Sequence, residues 1–166
     1  SLMCAMNQLS NHDHSRFLTR TNRTVGRLNT LGSEAAGRGI HYGIFRQGVV
    51  MQMTWPGCPT LYYGDEAGVC GWTDPDNRRT YPWGNEDLEL IEFHRYMTGI
   101  RRRNPALRTG SLTELLEEPG MIAYGRFQAA GKETKESRVV VAVNTCQDVR
   151  IFRIPVWKIG ITDFEK

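Results

Sequence analysis

The stretch Pro56 to Trp83, PGCPTLYYGDEAGVCGWTDPDNRRTYPW, constrains this chain more than any other. A Pro-Gly stop ends whatever precedes it. Pro59, Thr60, Leu61, Tyr62 and Tyr63 then run without alternation, and Gly64, Asp65 and Glu66 turn abruptly polar. An unbroken run of this kind suits a strand covered on both faces, the environment of a parallel sheet. Residues Leu2 to Leu9, LMCAMNQL, repeat the pattern and lead at once into Ser10, Asn11, His12, Asp13 and His14. About fifty residues separate the two runs, enough for the helical crossover that parallel pairing requires. The pattern therefore predicts parallel neighbours near Cys4 to Leu9 and Thr60 to Tyr63, with Asp13 and Asp65 at the same end of the sheet.

Between the runs, Ser15 to Leu31 is basic and rich in Thr and Asn, opening on a helical or irregular turn at Arg16, Phe17 and Leu18, and Gly32 to Gly39 reads as a loop or, from Ser33, Glu34, Ala35 and Ala36, as the start of the next helix. Ile40 to Thr54 is apolar on most faces, with Ile40, Ile44, Gly48 and Met51 on one stripe and Tyr42, Phe45, Val49 and Met53 close by, and predicts a buried helix. Asn85 reads as the N-cap of a further helix, in which Leu90, Phe93, Met97 and Ile100 recur at helical spacing until Asn104 meets Pro105. After Leu107 the pattern changes. Leu112 to Leu116, Met121 to Phe127, Arg138 to Asn144 and Val149 to Ile154 read as short antiparallel strands between turn residues. The fold class is thus α/β and then all-β, divided into residues 1–107 and 108–166.

Composition narrows the partners. A net charge of +3 is too small to imply nucleic-acid or membrane binding. The dense basic run Arg101, Arg102, Arg103 sits where a helix ends and complements its dipole. Cys4, Cys58, Cys70 and Cys146 show no CxxC spacing, which argues against a zinc knuckle or dithiol pair and for reduced thiols in a cytoplasmic setting. His12 and His14 lack the further ligands zinc needs. No stretch has the length of a membrane span, and no targeting signal is visible.

Three constellations could carry chemistry. Asn11, His12 and Asp13 with Arg16 form either a polar turn capping a strand or a ligand site. Asp65 and Glu66 are adjacent at a strand end, so they point to opposite sides and cannot act as a pair on one atom. The run Asp74, Pro75, Asp76, Asn77, Arg78, Arg79 is either a turn closed by surface ion pairs or part of a site. Trp72, Tyr81 and Trp83 beside it weigh toward a platform for a sugar or nucleobase face.

Together these stretches resemble the C-terminal part of the α-amylase family, glycoside hydrolase family 13, in the manner of its neopullulanase, cyclomaltodextrinase and maltogenic amylase branch. Leu9 to Asp13 resembles a barrel strand 7 ending in Asn-His-Asp. Pro56 to Pro59 with Tyr62 to Glu66 resembles the run through strand 8, and Asp74-Pro75 with Arg78 resembles the loop after it. The resemblance implies the last two βα units of a (β/α)8 TIM barrel, followed by an antiparallel, β-sandwich-like C-terminal domain that the chain carries in whole or in part. It implies that Asp13 is the third essential carboxylate, which stabilises the oxocarbenium-like transition state without attacking or protonating. His12 and Asn11 would bind the same sugar, Asp74 and Arg78 would shape glucose subsites, and Arg16, Asp65 and Trp72 would support them. No metal or cofactor is implied.

The nucleophilic Asp and the acid/base Glu belong to strands 4 and 5 of that family, and nothing here resembles their motifs. Retaining glycoside hydrolysis needs both. The expectation is therefore a fragment of an α-glucan hydrolase or transglycosylase, inactive alone, whose parent takes an α-glucan or maltooligosaccharide. The alternative is a stand-alone carbohydrate-binding or protein-interaction module on the same scaffold. A quarter of a barrel also leaves two open sheet edges, which predicts homo-oligomers through Leu2 to Leu9 or Thr60 to Tyr63, the alternative being a helix that shifts to cover the edge.

Overall fold

A computed structural model describes residues 2–132 and 134–162. In chain order the elements are β1 (Met6–Gln8), α1 (Phe17–Arg20), α2 (Leu28–Leu31), α3 (Tyr42–Thr54), β2 (Cys58–Thr60), α4 (Leu88–Arg103), α5 (Pro105–Thr109), β3 (Ser111–Glu118), β4 (Met121–Gln128) and β5 (Ser137–Asn144), with short 3-10 turns between them. The chain gathers into two compact units, one from Met6–Gln52 and Cys58–Thr98, the other from Ser1–Ala5, Met53–Gly57 and Gly99–Lys166.

In the first unit β1 and β2 pair in parallel, Met6 opposite Cys58 and Gln8 opposite Thr60. The expected parallel pair is present, but β2 lies earlier than Thr60 to Tyr63. The chain is already turning there, since Asp65 N–H returns to the Tyr62 carbonyl at 3.1 Å and Val69 N–H to the Gly64 carbonyl at 2.9 Å. The strands are not covered on both faces either. Met6 is 65% exposed, and Gln8 and Cys58 are exposed as well. Among the described residues this sheet has two strands, too few for a second layer to close over both faces.

The helix α3 ties the pair together. Gln52, buried on α3, donates from Nε2 to the carbonyls of Asn7 at 3.1 Å and Thr60 at 2.8 Å, one on each strand. The buried face of α3 runs through Phe45, Val49, Gln52 and Met53, not through Ile40, Ile44, Gly48 and Met51, and Tyr42 is exposed. The helix is amphipathic rather than engulfed. Its phase is set by aromatic packing, with the Phe45 ring 5.9 Å from Phe17 and 6.0 Å from His94. Gly48 leaves the slot for Phe17, because a Cβ there would lie 2.5 Å from Phe17 Cε1. In α4, Leu90, His94 and Met97 face inward. Its cap is Asp87, whose Oδ1 accepts the Leu90 N–H at 3.0 Å, rather than Asn85, which is spent on a turn with the Pro82 carbonyl.

The second unit holds the antiparallel sheet β3-β4-β5, with a bulge between Glu114 and Leu116. Leu115, Ala123 and Ile159 form its core. Arg126 is fully buried and donates to the carbonyls of Leu107 at 3.3 Å, Gly110 at 2.8 Å and Ser111 at 3.3 Å, satisfying groups that the end of α5 leaves unpaired. Arg101 goes beyond dipole complementation, with direct bonds to the carbonyls of Met53 at 2.8 Å and Gly57 at 2.6 Å. Residues 149–154 form no strand. Val149 and Ile151 are each 96% exposed; of this stretch Ile154 packs against the core, whose buried member from the C-terminal segment is Ile159 on the 3-10 turn Val156–Ile159. The four cysteines are free thiols. No helix among the described residues is long and apolar enough to cross a membrane.

Candidate functional site

Because β1 and β2 are parallel, the segments that follow them leave the same end of the sheet. After β1 the chain closes on itself through Asn11, whose Oδ1 accepts the N–H groups of Asp13 at 2.9 Å and His14 at 3.1 Å. Short polar side chains that bond backbone two residues on favour such turns. The turn presents His12 and Asp13 to solvent, with Nε2 of His12 3.3 Å from Oδ1 of Asp13.

Arg16, just beyond, is fully buried. Its backbone N–H donates to Gly71 O at 2.9 Å. Its Nε donates to Asn77 O at 2.8 Å, and its Nη1 to Tyr63 O at 2.6 Å and to Oδ1 of Asp65 at 3.0 Å. The guanidinium lies over the rings of Tyr62 at 4.0 Å and Tyr63 at 4.8 Å. The turn after β1 is thereby fastened to the segment after β2. Burial pushes the Asp65 carboxyl above its ordinary range, opposed by bonds from Ser10 and Arg16 and by the Arg16 charge. The Ser10 hydroxyl also accepts the Phe17 N–H at 2.9 Å. Asp65 thus faces the interior bracket and not the open surface.

The segment after β2 carries two ion pairs of different kinds. Asp74 and Arg78, half-exposed, pair at 2.6 Å. Asp76 is buried and accepts from Trp72 N–H at 2.8 Å, Ser33 Oγ at 3.1 Å and Arg79 at 2.7 Å. Only the first fits a turn closed by surface ion pairs. Trp72 is no sugar platform. It is 2% exposed and its Nε1 donates to Gly32 O at 3.0 Å, which makes it the core of this loop. Tyr81 and Trp83 form an aromatic pair, ring centroids 4.5 Å apart, in which Trp83 is 79% exposed and Tyr81 partly so. Among the described residues no group of three or more His, Cys, Asp or Glu is placed to hold a metal ion.

An amylopullulanase of Thermoanaerobacter thermohydrosulfuricus is 39% identical over 144 residues, which cover 84% of this chain and 10% of that protein. A cyclomaltodextrinase of Thermoanaerobacter pseudethanolicus is 33% identical over 140 residues, 83% of this chain and 20% of that protein. The crystal structure of a debranching enzyme from Nostoc punctiforme superposes with a TM-score of 0.71 at 28% identity, over 95% of this chain and 28% of that one. The chain belongs to the α-amylase family, glycoside hydrolase family 13. No family model matches it. The chain spans a tenth to a fifth of the length of these curated relatives.

Within this α-amylase-family chain, sequence reasoning singled out Asn11, His12, Asp13, Arg16, Asp65, Asp74 and Arg78, and the structure puts them on two segments fastened together through Arg16. Asn77 stands in the candidate run Asp74 to Arg79 without a role of its own, as does Ser10 in the polar turn, and the stacking faces of Tyr62 and Tyr63 have no signal. Asn77 donates from Nδ2 to Asn11 O at 3.2 Å and His14 O at 2.7 Å. An amide in a run of charged turn residues looks like turn chemistry, and its partners lie 66 and 63 residues away. No local signal could have found it.

Proposed function

We propose that this α-amylase-family chain carries the transition-state-stabilising carboxylate and two glucose-binding positions of a retaining α-glucan hydrolase or transglycosylase. In this reading β1 and β2 are the last two strands of the catalytic (β/α)8 barrel, and β3 to β5 belong to the antiparallel domain that follows it. The observation that carries the proposal is the bracket itself: Arg16 holds the turn bearing His12 and Asp13 to the segment bearing Asp74 and Arg78, beyond the same end of two parallel strands. Loops at that end are where barrel enzymes place their chemistry. The names of the relatives, amylopullulanase and cyclomaltodextrinase, support an α-glucan as the substrate class.

Asp13 is exposed and ionisable, so its oxygens can accept hydrogen bonds from sugar hydroxyls. As the ring gains positive charge, a carboxylate beside it is worth more in the transition state than in the ground state, and only such interactions accelerate the chemistry. His12 supplies a donor to the same hydroxyls. Asp74 and Arg78 can exchange their solvent-exposed ion pair, which is worth little by itself, for bonds to glucose. The nucleophile and general acid have no counterpart among the motifs of this chain, so the isolated chain binds sugar without turning it over.

The test pairs two measurements on the purified chain. Maltotriose should shift the NMR signals of His12, Asp13 and Arg78, and Asp13→Asn should erase that response while leaving the melting temperature within about 2 °C, as for an exposed position. Maltooligosaccharides, pullulan and cyclodextrins should not be hydrolysed. Turnover that Asp13→Ala abolishes, or sugar binding indifferent to Asp13, refutes the reading.

A further inference from the structure

Asn77 has none of the features of a residue that merely closes a turn. It is 0% exposed, yet it stands next to Arg78, which reaches the surface. Its Nδ2 spends both protons on one short segment, on Asn11 O at 3.2 Å and His14 O at 2.7 Å. Those carbonyls are the two ends of the turn whose middle residues are His12 and Asp13. Its own backbone carbonyl receives Nε of Arg16 at 2.8 Å. The bonding runs both ways: the turn holds Asn77 through Arg16, and Asn77 holds the turn through its amide.

The unsatisfied end of that amide is informative. Oδ1 of Asn77 is buried without a hydrogen-bond partner, a state that proteins rarely tolerate. The opposite orientation would set Oδ1 against two carbonyl oxygens, so the network itself assigns the amide. An apolar residue would avoid the orphaned acceptor, but it would also lose the grip on both carbonyls. The backbone of Gly71 packs directly on that of residues 76–77, since a Cβ on Gly71 would fall 2.8 Å from Asn77 Cα and 2.4 Å from Asp76 O. The neighbouring Asp76 is held by Trp72, Ser33 and Arg79.

The turn of residues 11–14 is closed internally by Asn11 Oδ1. Without the Asn77 amide it keeps its shape and loses the two bonds that hold its own carbonyls, and only the Arg16 contacts behind it still attach it. We propose that Asn77 is a positioning residue that locks the His12–Asp13 turn to the Arg78 turn, so that the two glucose-contacting pairs form one preformed surface. The inference rests on the functional reading above for the word glucose, and on geometry alone for the lock. Reactive groups misplaced by about 1 Å can lose on the order of a hundredfold in rate, which is the scale on which such a lock matters.

The test uses the nitrogen-15-labelled chain with two variants, Asn77→Asp, which keeps the shape and removes both donors, and Asn77→Leu, which removes all polarity. Backbone order parameters of His12 and Asp13 should fall from about 0.85 to below about 0.6 in both, while those of α4 and β4 stay unchanged. The affinity for maltotriose should weaken about tenfold if the locked arrangement falls to about a tenth of the population, since apparent affinity scales with the competent fraction. Val49→Ala, a core truncation on α3, serves as the destabilised control and should leave His12 and Asp13 ordered. Unchanged order at both residues in both variants overturns the proposal, as does equal loosening in the control. Should neither variant fold, the wild type decides: the Asn77 amide protons must exchange with solvent at least about a hundredfold more slowly than a free amide, as buried bonded groups do, and free-amide exchange overturns the lock. A wild-type chain with an ordered turn but no response to maltotriose refutes the glucan reading and leaves the order measurement to judge Asn77.

Discussion

Replacing Arg16 by Met is the sharpest test of how the first unit is held together. Arg16 is fully buried and its partner Asp65 nearly so, with Nη1 to Oδ1 at 3.0 Å. Removing one member of a buried pair typically costs about 3–5 kcal/mol, because the other is left buried and uncompensated. Arg16→Met also forfeits the bonds to Tyr63 O and Asn77 O, while a thioether retains part of the contact with the Tyr62 and Tyr63 rings. A loss of about 4 kcal/mol follows, or roughly 12 °C in melting temperature at about 3 °C per kcal/mol for a chain of this size. Asp65→Asn should cost about half as much, since Arg16 keeps two carbonyls and two ring faces. The double variant should cost about 1–2 kcal/mol less than the sum, as residues in direct contact do.

The pH dependence has a definite sign. Burial already holds the Asp65 carboxyl above its ordinary 3.8, against bonds from Ser10 and Arg16 and the Arg16 charge; without Arg16 it rises further. With the folded value above the unfolded one, the folded state carries the extra proton between the two, so this group's contribution falls as pH rises through that window. The penalty of Arg16→Met is therefore largest at neutral pH and shrinks near pH 4. Urea unfolding followed by tryptophan fluorescence at both pH values measures it. Additive single variants, each below about 1 kcal/mol, or a penalty equal at both pH values, would refute the reasoning.

Gly71→Ala should destabilise by about 1–3 kcal/mol, because its Cβ would meet Asp76 O at 2.4 Å; a melting curve superimposable on wild type contradicts that packing. At Asp76 burial alone would raise the carboxyl, but the Arg79 side chain, the Trp72 N–H and the Ser33 hydroxyl outweigh it and hold the group below its ordinary 3.8. Its stabilisation is thus complete above that value and lost as pH falls through the folded one, so acid unfolding should be steeper in wild type than in Asp76→Asn. The edges of β1 and β2 are paired on one side only among the described residues, and Met6 is exposed. Light scattering at micromolar concentration should show self-association that weakens with Met6→Lys, since a charge blunts an open edge.

The parallel pair was legible in the sequence because an apolar run switching to acids, and a crossover of sufficient length, are properties of the local chain. The same holds for β3, β4 and β5, whose turn residues and alternation stand next to each other. Asn11, His12, Asp13, Asp74 and Arg78 could be picked out because their types and spacing form motifs. Tertiary structure alone decided the rest. Trp72 is composed like a sugar platform, yet it is buried, with Gly26 close against its ring and Gly32 O accepting its Nε1–H. The inward face of α3 follows from where Phe17 and His94 meet Phe45, and hydrophobicity nearly all round the helix cannot specify that phase. Residues 149–154 alternate like a strand, but a strand exists only where a neighbour offers its ladder. Arg16 and Asn77 read as turn residues because their partners lie 47 to 66 residues distant. A buried hydrogen bond draws its strength from exclusion of water, and which groups water leaves is a property of the packed molecule.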